Sequence, residues 1–304
     1  MFHGLIWIIA TGVSWASISA VMSNVARYRV PTFLFYSIGA VLTAVMAWVF
    51  LVDWRAAVNM PLGDFLIAAP AFLIPGLINV VSQAVMVRTL KLGHNGLSVA
   101  IRNCAGTVPF MVGFLFLDAR VYWFNWVGLL LITSGFVLIT LSRKKSASDK
   151  KTGFSMKWLM FALASMMLSG TFQTCNTLAT MKFNTVVKLG MATPLLMTCC
   201  AAGYISAFLI WQRDSLKIWG FSGQVLRYAA VWAVLALLSY YFMFKTLDVM
   251  RDINAAALVF PTVMGVNVCC FFTYSKFKLR EPYTFVNICC LLMCLLGVVM
   301  LSVR

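Results

Sequence analysis

The chain has 304 residues, 62% of them hydrophobic and 11% charged, with a mean hydropathy of +0.92. A soluble domain carries about 45–50% apolar and 25% charged residues, so this composition excludes one and reads as an all-α, polytopic integral membrane protein. The net charge of +16 comes from Lys and Arg gathered into short loops between apolar runs. That pattern belongs to membrane topology and anionic headgroups, not to nucleic-acid binding.

The first expected span covers residues 5–22. No Lys or Arg precedes it, so a cleaved signal peptide is not expected. Thr11, Trp15, Ser19 and Met22 recur on one helical face, and Trp15 either floors a cavity or packs. The second span, residues 33–52, is interrupted only by Ser37, Gly39 and Thr43. The third, residues 65–87, contains Pro70, Pro75 and Gly76, which predicts a kink whose freed carbonyls need polar surroundings. Beyond it Asn79, Ser82 and Gln83 share a face where hydrocarbon would penalise them. Such a face either binds a solute or bonds neighbouring helices.

Residues 95–117 form the fourth span, which holds Arg102. An arginine at mid-bilayer costs about 2.5–3.5 kcal/mol on insertion scales, so it must face a bundle interior or a wet cavity and meet a partner. Ser98, Ala105, Gly106 and Pro109 share its face and leave room beside the guanidinium. Two readings stand: Arg102 takes the anionic group of a transported solute, or it is a structural cation held by carbonyls and amides. After Asp118 and Arg120 comes a fifth span, residues 123–141, with Trp123 and Trp126 at the interface. The polar stretch 143–157, rich in Lys and Arg, reads as a linker between two halves, residues 1–142 and 158–304.

The second half is expected to span the membrane at residues 158–180, 188–211, 226–247, 253–274 and 282–303, for ten spans in all. In the sixth, Ser169, Gln173, Asn176 and Thr180 form a polar stripe long enough for a cavity wall. Tyr240 and Tyr241 in the eighth span and Asn267 in the ninth are weaker candidates, because aromatics and single amides also hold helices together. Asn287 in the tenth reads as packing. Nine cysteines lie in apolar segments with no histidine or carboxylate beside them, so they read as small packing residues rather than metal ligands or disulfides.

Val87-Arg88-Thr89-Leu90-Lys91 through Asn95 matches Phe244-Lys245-Thr246-Leu247-Asp248 through Asn254, and each is followed by a span, a charged turn and another span. Two units of five spans result. An odd number forces the second unit into the opposite orientation, which is the inverted-topology repeat of alternating-access transporters.

With these residues in view a resemblance emerges. The run Asn-Ala-Ala-Ala-Leu-Val-Phe-Pro from Asn254, the later Leu-Arg-Glu-Pro and the apolar helix with Gly297 resemble the drug/metabolite transporter superfamily, with two EamA-like halves. Leu92-Gly93-His94-Asn95-Gly96 followed by Ala100-Ile101, Gly106-Thr107 and Pro109 resembles its rhamnose and glucose/ribose porter branches. The resemblance implies a ten-helix transporter fold and a sugar-type solute. One departure is that Leu117-Asp118-Ala119-Arg120 lacks the glutamate of the usual Gly-Glu turn. No substrate residue is carried across from the family.

Most of the 24 Lys and Arg fall in loops after odd-numbered spans, which by the positive-inside rule makes the interhalf linker cytoplasmic and both termini external. The expected protein is a secondary, non-ATP transporter of a small polar metabolite, a sugar or organic anion, working by alternating access in a bacterial cytoplasmic (inner) membrane. The alternatives are an efflux transporter of amino acids or drugs, and a non-transporting scaffold or accessory subunit. Its partners would be the solute and the lipid bilayer, and a homodimer stays open. With no deep carboxylate pair, metal-ligand cluster or Walker loop, neither an enzyme nor a cofactor is expected. The candidate substrate-binding residues are Trp15, Asn79, Ser82, Gln83, Arg102, Ser169, Gln173, Asn176 and Tyr240.

Overall fold

The structure, a computed structural model, describes residues 2–28, 30–92, 101–116, 121–142, 156–214, 222–274, 277–278 and 285–302. The start of the Arg102 span (residues 95–100), the turns at 118–120 and 279–282, and the linker residues 143–155 lie outside the described residues, as does the side chain of Asn287. Among the described residues there is no strand, and ten helices have ten residues or more. They are α1 (Phe2–Arg27), α2 (Thr32–Phe50), α3 (Leu62–Leu92), α4 (Thr107–Phe116), α5 (Trp123–Ser142), α6 (Met156–Lys182), α7 (Ala192–Trp211), α8 (Gly223–Arg251), α9 (Val259–Tyr274) and α10 (Phe285–Ser302). Five of them, α1, α2, α3, α7 and α8, are long and apolar enough to cross a membrane.

The sides of these helices are sorted as a lipid-facing bundle requires. Leu66, Ile67, Ile74, Leu77 and Val81 are exposed along α3, while Asn79 and Ser82 on the same helix are buried. In hydrocarbon an apolar side chain has nothing to lose outside, whereas a polar one must find its partner inside. Hydroxyls without a neighbour bond back to their own helix: Ser14 donates to the Ala10 carbonyl at 2.6 Å and Ser37 to that of Phe33 at 2.7 Å. Thr11 donates to the Trp7 carbonyl at 2.8 Å and also meets the Thr246 hydroxyl at 3.0 Å. Together these features are those of an integral membrane protein.

Most helix contacts recur between the halves, although the α9–α10 packing is more extensive than its α4–α5 counterpart among the described residues. α1 packs on α8 and α9, α6 on α3 and α4, α2 on α7 and α8, α7 on α3, and α5 on α10. Advancing every helix by five positions, with α6 returning to α1, reproduces each of these pairings. The correspondence reaches individual atoms. A side chain at Gly12 of α1 would stand 2.6 Å from Val266 Cβ and 3.1 Å from the Val263 carbonyl oxygen, and one at Gly170 of α6 would stand 2.6 Å from Val108 Cβ and 3.0 Å from that of Ala105. The same shift along the chain relates Gly12 to Gly170, Val263 to Ala105 and Val266 to Val108.

Pro70 and Pro75 lie inside α3, which runs on past both. Gly76 beside them serves close packing, since a side chain there would come 2.7 Å from the Leu196 carbonyl oxygen of α7. The helix carrying Arg102 is instead broken: Cys104–Gly106 forms a 3-10 turn before α4 begins. Pro109 explains the break, because it has no N–H for the Ala105 carbonyl and its ring crowds that oxygen. The ninth helix starts at Val259 rather than at residue 253, behind a 3-10 turn at Ala256–Leu258 and ahead of Pro261. Asn254, at φ 55°, ends α8: its N–H bonds the Arg251 carbonyl and the Ala255 N–H reaches back to that of Met250. These are the paired bonds of a left-handed helix stop. Asp248, one residue beyond the expected eighth span, is buried within the last turns of α8 and lies 3.1 Å from Arg251.

Candidate functional site

Arg102 occupies the helical turn that Pro109 undoes just downstream. Its side chain is half-buried. Nη1 donates to Gln83 Oε1 at 2.9 Å. The Tyr36 hydroxyl reaches the same oxygen at the longer distance of 3.5 Å.

Around this pair the second half contributes as much as the first. Tyr36 of α2 stacks on Tyr204 of α7, with ring centroids 4.8 Å apart and planes 11° from parallel. Trp232 of α8 meets Tyr36 edge-on at 5.5 Å. Asn79 of α3 donates to the Tyr240 hydroxyl at 3.2 Å and approaches Cys200 Sγ at 3.7 Å, while the Cys200 thiol points to the Gly76 carbonyl at 3.5 Å. The cluster thus lies where α2, α3, α7 and α8 meet, beside the Arg102 turn.

The α6 stripe is buried as its period predicts: Ser169, Gln173, Asn176 and Thr180 all lie inside. Asn176 spends its Nδ2 on the Phe172 carbonyl at 2.9 Å. Its Oδ1, together with Gln173 Oε1 and Thr180 Oγ1, has no hydrogen-bond partner among the described residues. Each buried acceptor left in that state costs about 1–3 kcal/mol.

The candidates therefore separate. Arg102 and Gln83 are bonded to each other, Asn79 and Tyr240 form a second bonded pair, and Gln173 and Asn176 present unmet oxygens. Ser82 instead reaches the Ser165 carbonyl across the α3–α6 contact at 3.5 Å, which is a packing contact. Ser169 is buried on the same face of α6 as Gln173. Trp15 is half-buried against Phe260, with centroids 6.1 Å apart. Tyr241 is exposed, edge-on to Trp7. Neither the α3 nor the α6 stripe faces lipid. Tyr36, Tyr204 and Cys200 are members of the cluster that periodicity did not single out. Among the described residues no disulfide forms, and no group of His, Cys, Asp and Glu could hold a metal ion.

The Asn79–Tyr240 bond ties α3 to α8, and Tyr240→Phe leaves the Asn79 amide donor with only a distant sulfur. We expect a loss of about 1–3 kcal/mol of stability, read from unfolding of the purified protein in detergent. A second substitution, Asn79→Leu, should then cost less in the Tyr240→Phe background than alone, because both remove one interaction. Full additivity would show that the pair does not interact.

Among solved structures, one described only as "Crystal structure of protein" superposes with a TM-score of 0.73 at 12% sequence identity, over 99% of this chain and 96% of that chain. The likeness is one of fold alone. No protein-family profile matches the chain, and no curated protein does.

Proposed function

We propose that the chain is a secondary transporter of a small polar or anionic metabolite, built as two five-helix repeats of inverted topology and related to the drug/metabolite transporter superfamily. The observation that carries this reading is a half-buried guanidinium bonded to Gln83, beside a cluster drawn from α2 and α3 of one half and α7 and α8 of the other. A charge so placed is costly unless it works on something that enters, and repeat transporters bind their solutes between halves. The packing correspondence that maps α1 to α6 and Gly12 to Gly170 supports the repeat, and an odd number of spans per repeat inverts the second.

In this reading all ten long helices cross the membrane, α4 and α9 being completed by the segments before them. Rocking of one half against the other exposes the Arg102 site alternately to each side. Energy comes from the solute gradient or an exchanged solute rather than from ATP. In this reading the membrane is a bacterial inner membrane, and the excess of Lys and Arg in the linker supports a cytoplasmic position for it.

Two measurements test the proposal. Full-length protein in proteoliposomes should carry out saturable flux of an anionic metabolite, and absence of flux for sugars, sugar acids, amino acids and nucleosides alike would favour a scaffold role. Reporters active on only one side of the membrane, fused to each terminus, should both read external; cytoplasmic signals would reverse the orientation.

A further inference from the structure

Resting on the transporter reading, the structure assigns the Arg102 site to a hydroxylated carboxylate, a solute with an anionic end and several hydroxyl groups along its chain. The site has two poles of opposite hydrogen-bonding character. Arg102 can only donate, and part of its fork is directed at Gln83. Gln173 Oε1 and Asn176 Oδ1 can only accept and have no donor among the described residues, although Gln173 is 1% exposed and Asn176 is fully buried. The Asn176 amide is locked by its own Nδ2 bond to Phe172, so its oxygen cannot be exchanged for a donor by a flip.

The repeat places these poles opposite one another. The shift that carries Gly12 onto Gly170 and Val263 onto Ala105 also carries Trp15 onto Gln173 and Phe260 onto Arg102. Trp15 and Phe260 are ring neighbours at 6.1 Å. In the other half the equivalent positions are Gln173 and Arg102, so the repeat correspondence sets an amide whose oxygen has no partner among the described residues opposite the guanidinium. A group seated between them would accept from Arg102 and donate to Gln173 and Asn176. The repeat thus contains one polar site and one aromatic counterpart.

The acceptors being neutral decides which donor fits. The described acidic residues, Asp53, Asp64, Asp214, Asp248 and Asp252, lie at or near helix ends, so nothing beside Gln173 offsets an ammonium held close to a guanidinium. Hydroxyl groups donate without that repulsion. A carboxylate meets the Arg102 fork in bidentate geometry that a neutral sugar cannot match.

The test is flux through full-length protein in proteoliposomes, with four six-carbon probes: gluconate, hexanoate, glucose and norleucine. Gluconate should move about tenfold or more faster than each of the others at equal, sub-saturating concentration, the factor expected from one well-made polar contact. Gln173→Leu combined with Asn176→Leu should erase its advantage over hexanoate. Arg102→Gln should erase its advantage over glucose. Hexanoate or norleucine moving as fast as gluconate overturns the assignment and leaves a transporter in place. Flux of none of the four, with flux of some other metabolite, does the same, while flux of no metabolite removes the transporter reading itself. Should the double variant fail to fold, Gln173→Met alone reads the same hexanoate comparison, and unchanged selectivity in it also overturns the assignment.

Discussion

Replacing Arg102 by lysine is expected to slow transport of an anionic solute by about 10–100-fold while the protein still folds, and Arg102→Gln to remove nearly all of it. The geometry gives the reason. Nη1 of Arg102 is held by Gln83 Oε1 at 2.9 Å, so the fork is anchored at one corner and its remaining N–H groups keep a fixed direction. An ammonium is a point charge on a differently shaped stem, and once bonded to Gln83 it has no second, parallel donor for a carboxylate. Glutamine supplies a donor but no charge. A purely structural role predicts a different outcome: both variants would lower yield and thermal stability, and any residual flux would keep the selectivity of the parent. Rates should be measured in proteoliposomes at matched protein incorporation, alongside unfolding temperatures in detergent. Normal rates in Arg102→Gln would move the site to the Gln173 and Asn176 wall.

The sequence makes Arg102 conspicuous because it is a charge in an apolar run, and it makes the α3 and α6 stripes conspicuous because polar residues recur there at the helical period. Both stripes are buried. Their partners leave no comparable trace. Tyr36 and Tyr204 stand in helices whose other residues are apolar or small hydroxyls, where a single tyrosine looks the same whether it packs, anchors or binds. Asn79 and Tyr240 are bonded although 161 residues apart in the chain, and only the arrangement of α3 against α8 brings them together. Hydroxyl side chains mislead in the opposite direction: Thr11 and Ser19 keep the period of a cavity face but satisfy themselves on the carbonyls of Trp7 and Trp15. Pro109 is visible in the sequence, yet the 3-10 turn it causes changes the direction of the residues just upstream in a way that a uniform helical wheel through Arg102 misplaces. The apolar run of the eighth span ends at Leu247, whereas α8 continues to Arg251 and buries Asp248.

The largest effect on stability is expected from one added methyl group, Gly190→Ala. Gly190 has φ 73° and follows the short helix Asn184–Lys188. Its N–H bonds the Val187 carbonyl and the Met191 N–H bonds that of Val186, each at 3.0 Å, so the residue is held in the left-handed conformation from both sides. An alanine there costs about 1–2 kcal/mol in backbone strain alone. Its Cβ would also stand 1.8 Å from the Leu51 carbonyl oxygen, which is backbone and cannot rotate away. The segment that must shift is the end of α2, whose Asp53 N–H bonds the Leu189 carbonyl at 3.1 Å, so this link between the halves is lost at about 0.5–1.5 kcal/mol more. Together these should lower the unfolding temperature by about 5 °C or more. Gly223→Ala is the matched control: that glycine opens α8 behind the Ser222 cap, nothing lies within 4 Å of an added Cβ, and the change should be neutral or slightly stabilising. Equal unfolding temperatures for the two variants would mean that the Leu51–Gly190 contact does not exist in the folded protein, and with it would go the packing of α2 against the start of α7.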